Sequence, residues 1–210
     1  RARLAASVTA RVLDGQAVAV HGSRGMGRTT FLDLVAAALP DTVVVRLAAP
    51  GVPGHGVAAI AGAFDRVTLD ELPEGMRAAL LDPGGLTVGD PATRLGDAFT
   101  ELLTTQAARA PFVLVVDDAQ HLDELSATAL RAAAVRSLGP GAVGMLLGLG
   151  PSDPSPETGF VPQMAEAREV PLLHIDLPPL AGADTVEMLT GVGVSTDTAL
   201  WAHRESGGNP

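Results

Sequence analysis

Short runs of apolar residues rich in β-branched side chains punctuate the chain at 17–21, 43–47, 112–116, 143–149 and 172–177. Hydrophobicity within each run is nearly continuous rather than alternating, the pattern of strands covered on both faces of a parallel sheet. Between the runs the period changes. Leu95, Phe99, Leu102 and Leu103 fall at i, i+4, i+7 and i+8, and Leu125, Ala129, Leu130 and Ala133 also keep helical spacing, so both stretches predict amphipathic helices. Strands alternating with helices predict an α/β layered fold. Segments 49–56, 82–91 and 150–162 are dense in Pro and Gly and predict surface loops, the last of them disordered. From Leu180 onward the pattern is helical again, over 183–189 and 196–204, with no further strand. The expected division is a core at 1–178 and the start of a helical lid or linker at 179–210. No internal repeat interrupts this plan.

The first strand run leads directly into Gly22-Ser23-Arg24-Gly25-Met26-Gly27-Arg28-Thr29-Thr30, and an apolar helical stretch through Phe31, Leu32, Leu34, Val35 and Leu39 follows. The spacing G-x-x-x-x-G-x-T between a strand and a helix is the Walker A frame, with arginine where lysine is usual. Glycines let the backbone curl so that successive N–H groups point at phosphate oxygens, and the helix N-terminus adds partial positive charge. On this reading Gly22 to Thr30 cradle the phosphates, the Thr29 hydroxyl meets Mg²⁺, and Thr30 lies toward the α-phosphate. Arg28 supplies a cation, but its planar fork is longer than an ammonium and is not its equal at the β- and γ-oxygens. Weak binding and weaker hydrolysis are expected. The bland alternative is a glycine-rich turn that binds no nucleotide.

A second frame stands at 112–118, where Phe112-Val113-Leu114-Val115-Val116 runs into Asp117-Asp118. In open α/β sheets ligands lie beyond the carboxyl ends of the strands. Asp117 is therefore assigned to the Mg²⁺ water shell and Asp118, with Arg28, to catalysis by orienting or deprotonating the attacking water. Aspartates after buried strands also serve as helix caps, so the weight rests on the pair of frames rather than on either. The run at 143–149 ends at Gly150-Pro151, with nothing polar before Ser152 and Asp153. A site without a polar group there loses charge stabilisation and turns over slowly.

Composition narrows the class. A chain of 210 residues with 47% apolar and 18% charged residues can bury a core, which excludes a disordered tail. Absence of cysteine removes disulfides and thiolate metal sites, and the 5 histidines are scattered. All 14 basic residues are arginine, and 24 acidic residues bring the net charge to -10. Such a surface disfavours a phosphate backbone, so no direct nucleic-acid contact is expected through this segment. No apolar run reaches membrane-spanning length, and the expected location is the cytoplasm. The ends, Arg1-Ala2-Arg3-Leu4 and Gly207-Gly208-Asn209-Pro210, read as those of a piece cut from a longer protein.

With these segments in view, the chain resembles the nucleotide-binding domain of STAND-type signalling ATPases among the AAA+ proteins, especially the large ATP-binding LuxR-type transcriptional regulators of actinobacteria. The resemblance spans nearly the whole chain. It rests on 18–30, on 107–111 leading into 113–123, on Leu177-Pro178-Pro179-Leu180 and on Ser206-Gly207-Gly208-Asn209-Pro210. It implies an α/β three-layer P-loop NTPase with a five-stranded parallel sheet of order 5-1-4-3-2. It also implies ATP or ADP with Mg²⁺ held as a conformational switch, contact with other domains of the parent chain, and DNA binding by a helix-turn-helix domain downstream. Self-association is left open. In the family the segment after the two acids couples the metal site to the next helix, which brings in Gln120, His121 and Asp123, and the Gly-Asn-Pro end approaches the adenine side. Arg28 and Gly150 depart from the pattern. His174 reads as a core histidine, His21 as structural, Arg24 as a phosphate contact, and Trp201 and the methionines as packing.

Overall fold

The computed structural model describes residues 1–48, 56, 59, 62–64, 69–82, 90–139, 143–150 and 172–209. The loops expected at 49–56, 82–91 and 150–162 lie almost wholly outside the described residues. In chain order the elements are α1 (Ala2–Leu13), β1 (Ala17–His21), α2 (Arg28–Ala37), β2 (Val43–Ala48), α3 (Glu74–Leu81), α4 (Pro91–Arg109), β3 (Phe112–Asp117), a 3₁₀ turn (Ala119–His121), α5 (Glu124–Ser137), β4 (Val143–Leu149), β5 (Leu172–Asp176), α6 (Gly182–Thr190) and α7 (Thr196–Ser206).

All five strands join one sheet in the order β2-β3-β4-β1-β5, each neighbouring pair parallel. Read from the other edge this is the order the family resemblance implies. Alternate side chains of each strand feed two separate cores. Ala17, Leu114, Val116, Met145 and Leu147 point toward α3, α4 and α5, where Phe99, Leu102, Leu103 and Leu130 are fully buried. Val18, Val20, Val113, Val115 and Leu146 point the other way, onto Val8 and Val12 of α1 and Phe31, Leu32 and Val35 of α2. Three layers follow from that alternation, because a sheet apolar on both faces needs helices on both.

Two local features set the helix positions. Asp90 caps α4, accepting from the amides of Ala92 (3.4 Å) and Thr93 (3.1 Å), with Pro91 at the first helical position. Gly96 lets α4 approach α5 closely, since a methyl there would lie 2.9 Å from the Ala132 Cβ.

The fifth strand departs from expectation. The run at 172–177 reads as covered on both faces, yet no β5 residue is fully buried and His174 and Asp176 are exposed. β5 is an edge strand, so apolar composition alone did not predict its cover. His174 is accordingly not a core histidine: its ring stacks on His21, with centroids 5.1 Å apart. Trp201 is likewise 57% exposed rather than packed, and Met188 is 42% exposed, while Met145 is fully buried. Both exposed side chains belong to the terminal helix pair. The two ends of that segment meet, where the Leu180 amide donates to the Gly208 carbonyl (2.8 Å). Among the described residues no helix is long and apolar enough to cross a membrane.

Candidate functional site

The loop between β1 and α2 takes the curl that its glycines permit. Gly25 and Gly27 sit at φ +84° and +73°, in the left-handed region that side chains rarely adopt. The Met26 amide closes a turn on the Ser23 carbonyl (3.1 Å), and the Phe31 amide begins the helix by bonding the Gly27 carbonyl (2.9 Å). No side chain caps α2. The first-turn amides therefore have no intrahelical acceptor, and they open at the carboxyl end of the sheet, a setting suited to an anion.

β3 delivers the carboxylates to the same place. Asp117, its last residue, has a side chain only 8% exposed, and Asp118 follows with φ +53°, a conformation aspartate tolerates better than most residues. Arg28 reaches across from α2. Its Nε donates to Asp117 Oδ1 (3.3 Å), its Nη1 to the Gly22 carbonyl (3.1 Å) and its Nη2 to Asp118 Oδ1. Thr29 Oγ1 donates to Asp117 Oδ2 at 2.6 Å. The Arg28 side chain is 11% exposed, which makes these partly desolvated charged contacts rather than surface pairs.

Sequence reasoning passed over one participant. Arg46 stands in the middle of β2, pairs with Asp33 of α2 and brings Nη2 to 4.0 Å from Asp117 Oδ2. The signal was a single arginine within Val43-Val44-Val45-Arg46-Leu47, because a charge inside an apolar strand requires a partner. Gln120 proves more central than its second rank in the sequence. Its Nε2 donates to Asp118 Oδ1 (3.1 Å) and its Oε1 accepts from the Gly150 amide (3.0 Å), filling the space at the end of β4 where a polar side chain was missed. Gly148, two residues earlier in β4, has no room for a side chain: a methyl would lie 2.6 Å from Asp117 Oδ1.

These groups surround a cleft of about 620 Å³ lined by Ser23, Arg24, Gly25, Gly27, Arg28, Thr29, Asp118, Gln120, His121 and Gly150. That volume is in the range of clefts that take cofactor-sized ligands. A second cleft of about 370 Å³ adjoins it on the other side of the loop, lined by His21, Gly22, Ser23, Met26, Gly150, Asp176 and Leu177. Of the predicted loop residues, only Thr30 lines neither. Asp123 caps α5, accepting from the Ser126 amide (3.0 Å), which is the helix-cap role.

Both chain ends also touch the loop. Arg1 donates to the carbonyls of Met26 (2.8 Å) and Pro178 (2.7 Å), and burial holds its guanidinium below its usual pKa, with Asp184 opposing. Asn209, just after α7, packs on Gly25, where an added methyl would stand 3.3 Å from its Oδ1. On the outer side of β1, His21 Nε2 lies 2.9 Å from His174 Nδ1. Burial lowers the His21 pKa, His174 lowers it further, and Asp176 partly offsets both.

For a divalent ion the residue types are apt, a threonine hydroxyl beside a carboxylate. The arrangement does not fit one. Asp117 Oδ1 accepts from Arg28 and from the Asp118 amide (2.9 Å), and Oδ2 accepts from Thr29 with Arg46 alongside. An ion there would face the guanidinium of Arg28 directly and that of Arg46, which is shared with Asp33, and a unit of like charge about 4 Å away costs about 4 kcal/mol at an effective dielectric near 20. Among the described residues no group of three or more His, Asp or Glu could hold a metal.

No curated protein sequence matches the chain. Among solved structures it is similar to the ADP form of the ORC2 protein of Aeropyrum pernix, with a TM-score of 0.50 and 17% identity over 90% of this chain. It spans 50% of that protein's length. It also aligns with Drosophila ORC bound to AT-rich DNA and Cdc6, at a TM-score of 0.48 and 11% identity, covering 98% of this chain and 75% of that one. The Aeropyrum likeness bears on fold alone, and the fold it shares is the parallel sheet with helices on both sides. A family model described as the AAA ATPase domain matches residues 1–141, which takes in the loop, the carboxylate strand and α5. With the loop and the carboxylates converging on one cleft, the chain belongs to the AAA ATPase domain family.

Proposed function

We propose that this domain binds ATP and ADP in the larger cleft and acts as a slowly hydrolysing switch within a larger transcriptional regulator, as the resemblance to LuxR-type regulators implies. The carrying observation is convergence: the glycine loop, Asp118 and Gln120 line one cleft, and Asn209 after α7 packs on Gly25 of that loop. A nucleotide seated on the loop would press on the Gly25–Asn209 contact, giving the terminal helices a direct report of occupancy. On this proposal the loop amides and Arg28 hold the phosphates, Arg24 lines the entrance, and Asp118 is the residue nearest an attacking water. Slow turnover follows from two features. Asp118 Oδ1 is already engaged by Arg28 and Gln120, and the end of β4 supplies only the Gly150 amide, itself bonded to Gln120.

Calorimetric titration of the domain with ATP and with ADP, beside a phosphate-release assay, tests this. Micromolar binding of both with little phosphate release is expected. Absence of binding at millimolar nucleotide would overturn it and favour a second reading, a nucleotide-free interaction module. That alternative draws on the closure of Arg28 onto Asp117 and Asp118.

A further inference from the structure

The cation at this site is covalently part of the chain. Three contacts fix the Arg28 guanidinium to Asp117, Asp118 and the Gly22 carbonyl, and among the described residues these use three of its five N–H groups. The remaining donors belong to Nη1 and Nη2 of a side chain that lines the phosphate cleft. Both oxygens of Asp117 already accept from donors fixed to the chain, Oδ1 from Arg28 and the Asp118 amide and Oδ2 from Thr29, and Asp118 Oδ1 accepts from Arg28 and Gln120. Arg46 adds a second guanidinium at 4.0 Å. Asp117 thus lies beside two permanent positive charges, of which Arg46 is shared with Asp33, and arginine does not lose its proton in this pH range.

We propose that Arg28 is the resident cation of the site and that nucleotide binds here without a divalent ion, its phosphates pairing with the free N–H groups of Arg28 and the amides of the loop. Bidentate pairing with phosphate suits a guanidinium. Gln120, held by the Gly150 amide, donates to the same Asp118 Oδ1 that Arg28 engages and so helps to fix that carboxylate against Arg28. The inference rests on the nucleotide-binding reading above and specifies how that binding is neutralised. Turnover is slow on this account because the charge is fixed, and it does not follow the γ-phosphate as it leaves.

The test is a pair of titrations on wild type, Arg28→Lys and Arg28→Ala. In the first, a non-hydrolysable ATP analogue is titrated with chelator present and again with saturating Mg²⁺. Wild type should change affinity by less than about threefold, whereas Arg28→Lys, with a shorter cation that leaves the carboxylates free, should gain about tenfold or more on adding Mg²⁺. A tenfold Mg²⁺ response in wild type, or the same response in both proteins, would overturn the proposal. The second titration follows Mn²⁺ binding by electron paramagnetic resonance without nucleotide, so it stands even if no nucleotide binds. Mn²⁺ excluded by wild type and admitted by Arg28→Ala supports the proposal. Equal behaviour of the two, whether both bind or neither does, contradicts it.

Discussion

Two aspartates end parallel strands of the same sheet, and they behave differently. Asp117 closes β3, flanked by β2 and β4 and covered by helices on both faces, and its side chain is 8% exposed and engaged by Arg28, Thr29 and the Asp118 amide. Asp176 closes the edge strand β5 in register with His21, stays exposed, and acts on His21 through its charge. Equivalent positions in a fold do not confer equivalent roles. Cover decides, because a desolvated carboxylate must be matched by fixed donors whereas a solvated one is screened.

Leucine truncations should show the gap most strongly. Leu114→Ala, at the fully buried centre of β3, should cost about 2–5 kcal/mol in denaturant unfolding, while Leu173→Ala on half-covered β5 should cost less than about 1.5 kcal/mol. Similar costs would contradict the edge position of β5 as the source of the difference. Next in size, Asp117→Ala removes the buried acceptor of Arg28 and Thr29, leaving Arg28 to Asp118 and Arg46 to Asp33, and should cost about 1–3 kcal/mol, against about 0.5 kcal/mol or less for Asp176→Ala. Gly148→Ala should cost about 1–3 kcal/mol, because the new methyl meets Asp117 Oδ1 and Leu32 Cδ1 at 2.6 and 2.8 Å. It should also weaken nucleotide binding, which separates it from a purely structural loss.

The smallest effect belongs to the edge. His21 has a folded pKa below its ordinary value, so the unfolded chain binds the proton more readily. The stability it contributes is present above the ordinary value near 6.5 and falls as pH drops below it. Thermal melts between pH 7.5 and 5 should show a Tm decline of a few degrees at most, reduced in His174→Asn. An unchanged decline in that variant would detach the His21–His174 contact from the effect.

The sequence reveals much of the fold because strand runs, helical periods and glycine frames are each local signals. Residues 17–21 and 143–149 match their strands to the residue, and Gly22 to Thr29 and Asp117-Asp118 come together as their spacing implies. What stayed hidden depends on sheet position, which no local pattern carries. The apolar run of β5 reads like that of β3, yet one lies at the edge and the other inside, so His174 reads as buried and is not. Arg46 shows the converse: it was visible as a charge in an apolar strand, but its partners come from α2 and β3 and are fixed only by the fold. The turn of Arg28 onto the acids was equally out of reach, since spacing places a side chain near a cleft without saying which way it folds.

The central claim is that nucleotide on the loop is read by the terminal helices. Hydrogen exchange measured on the free domain, with ADP and with a non-hydrolysable ATP analogue, tests it most directly. The account predicts that both nucleotides protect amides at 22–30 and that the two differ in their protection of 206–209. Protection confined to the loop and identical for the two nucleotides, with the tail unchanged, would contradict it.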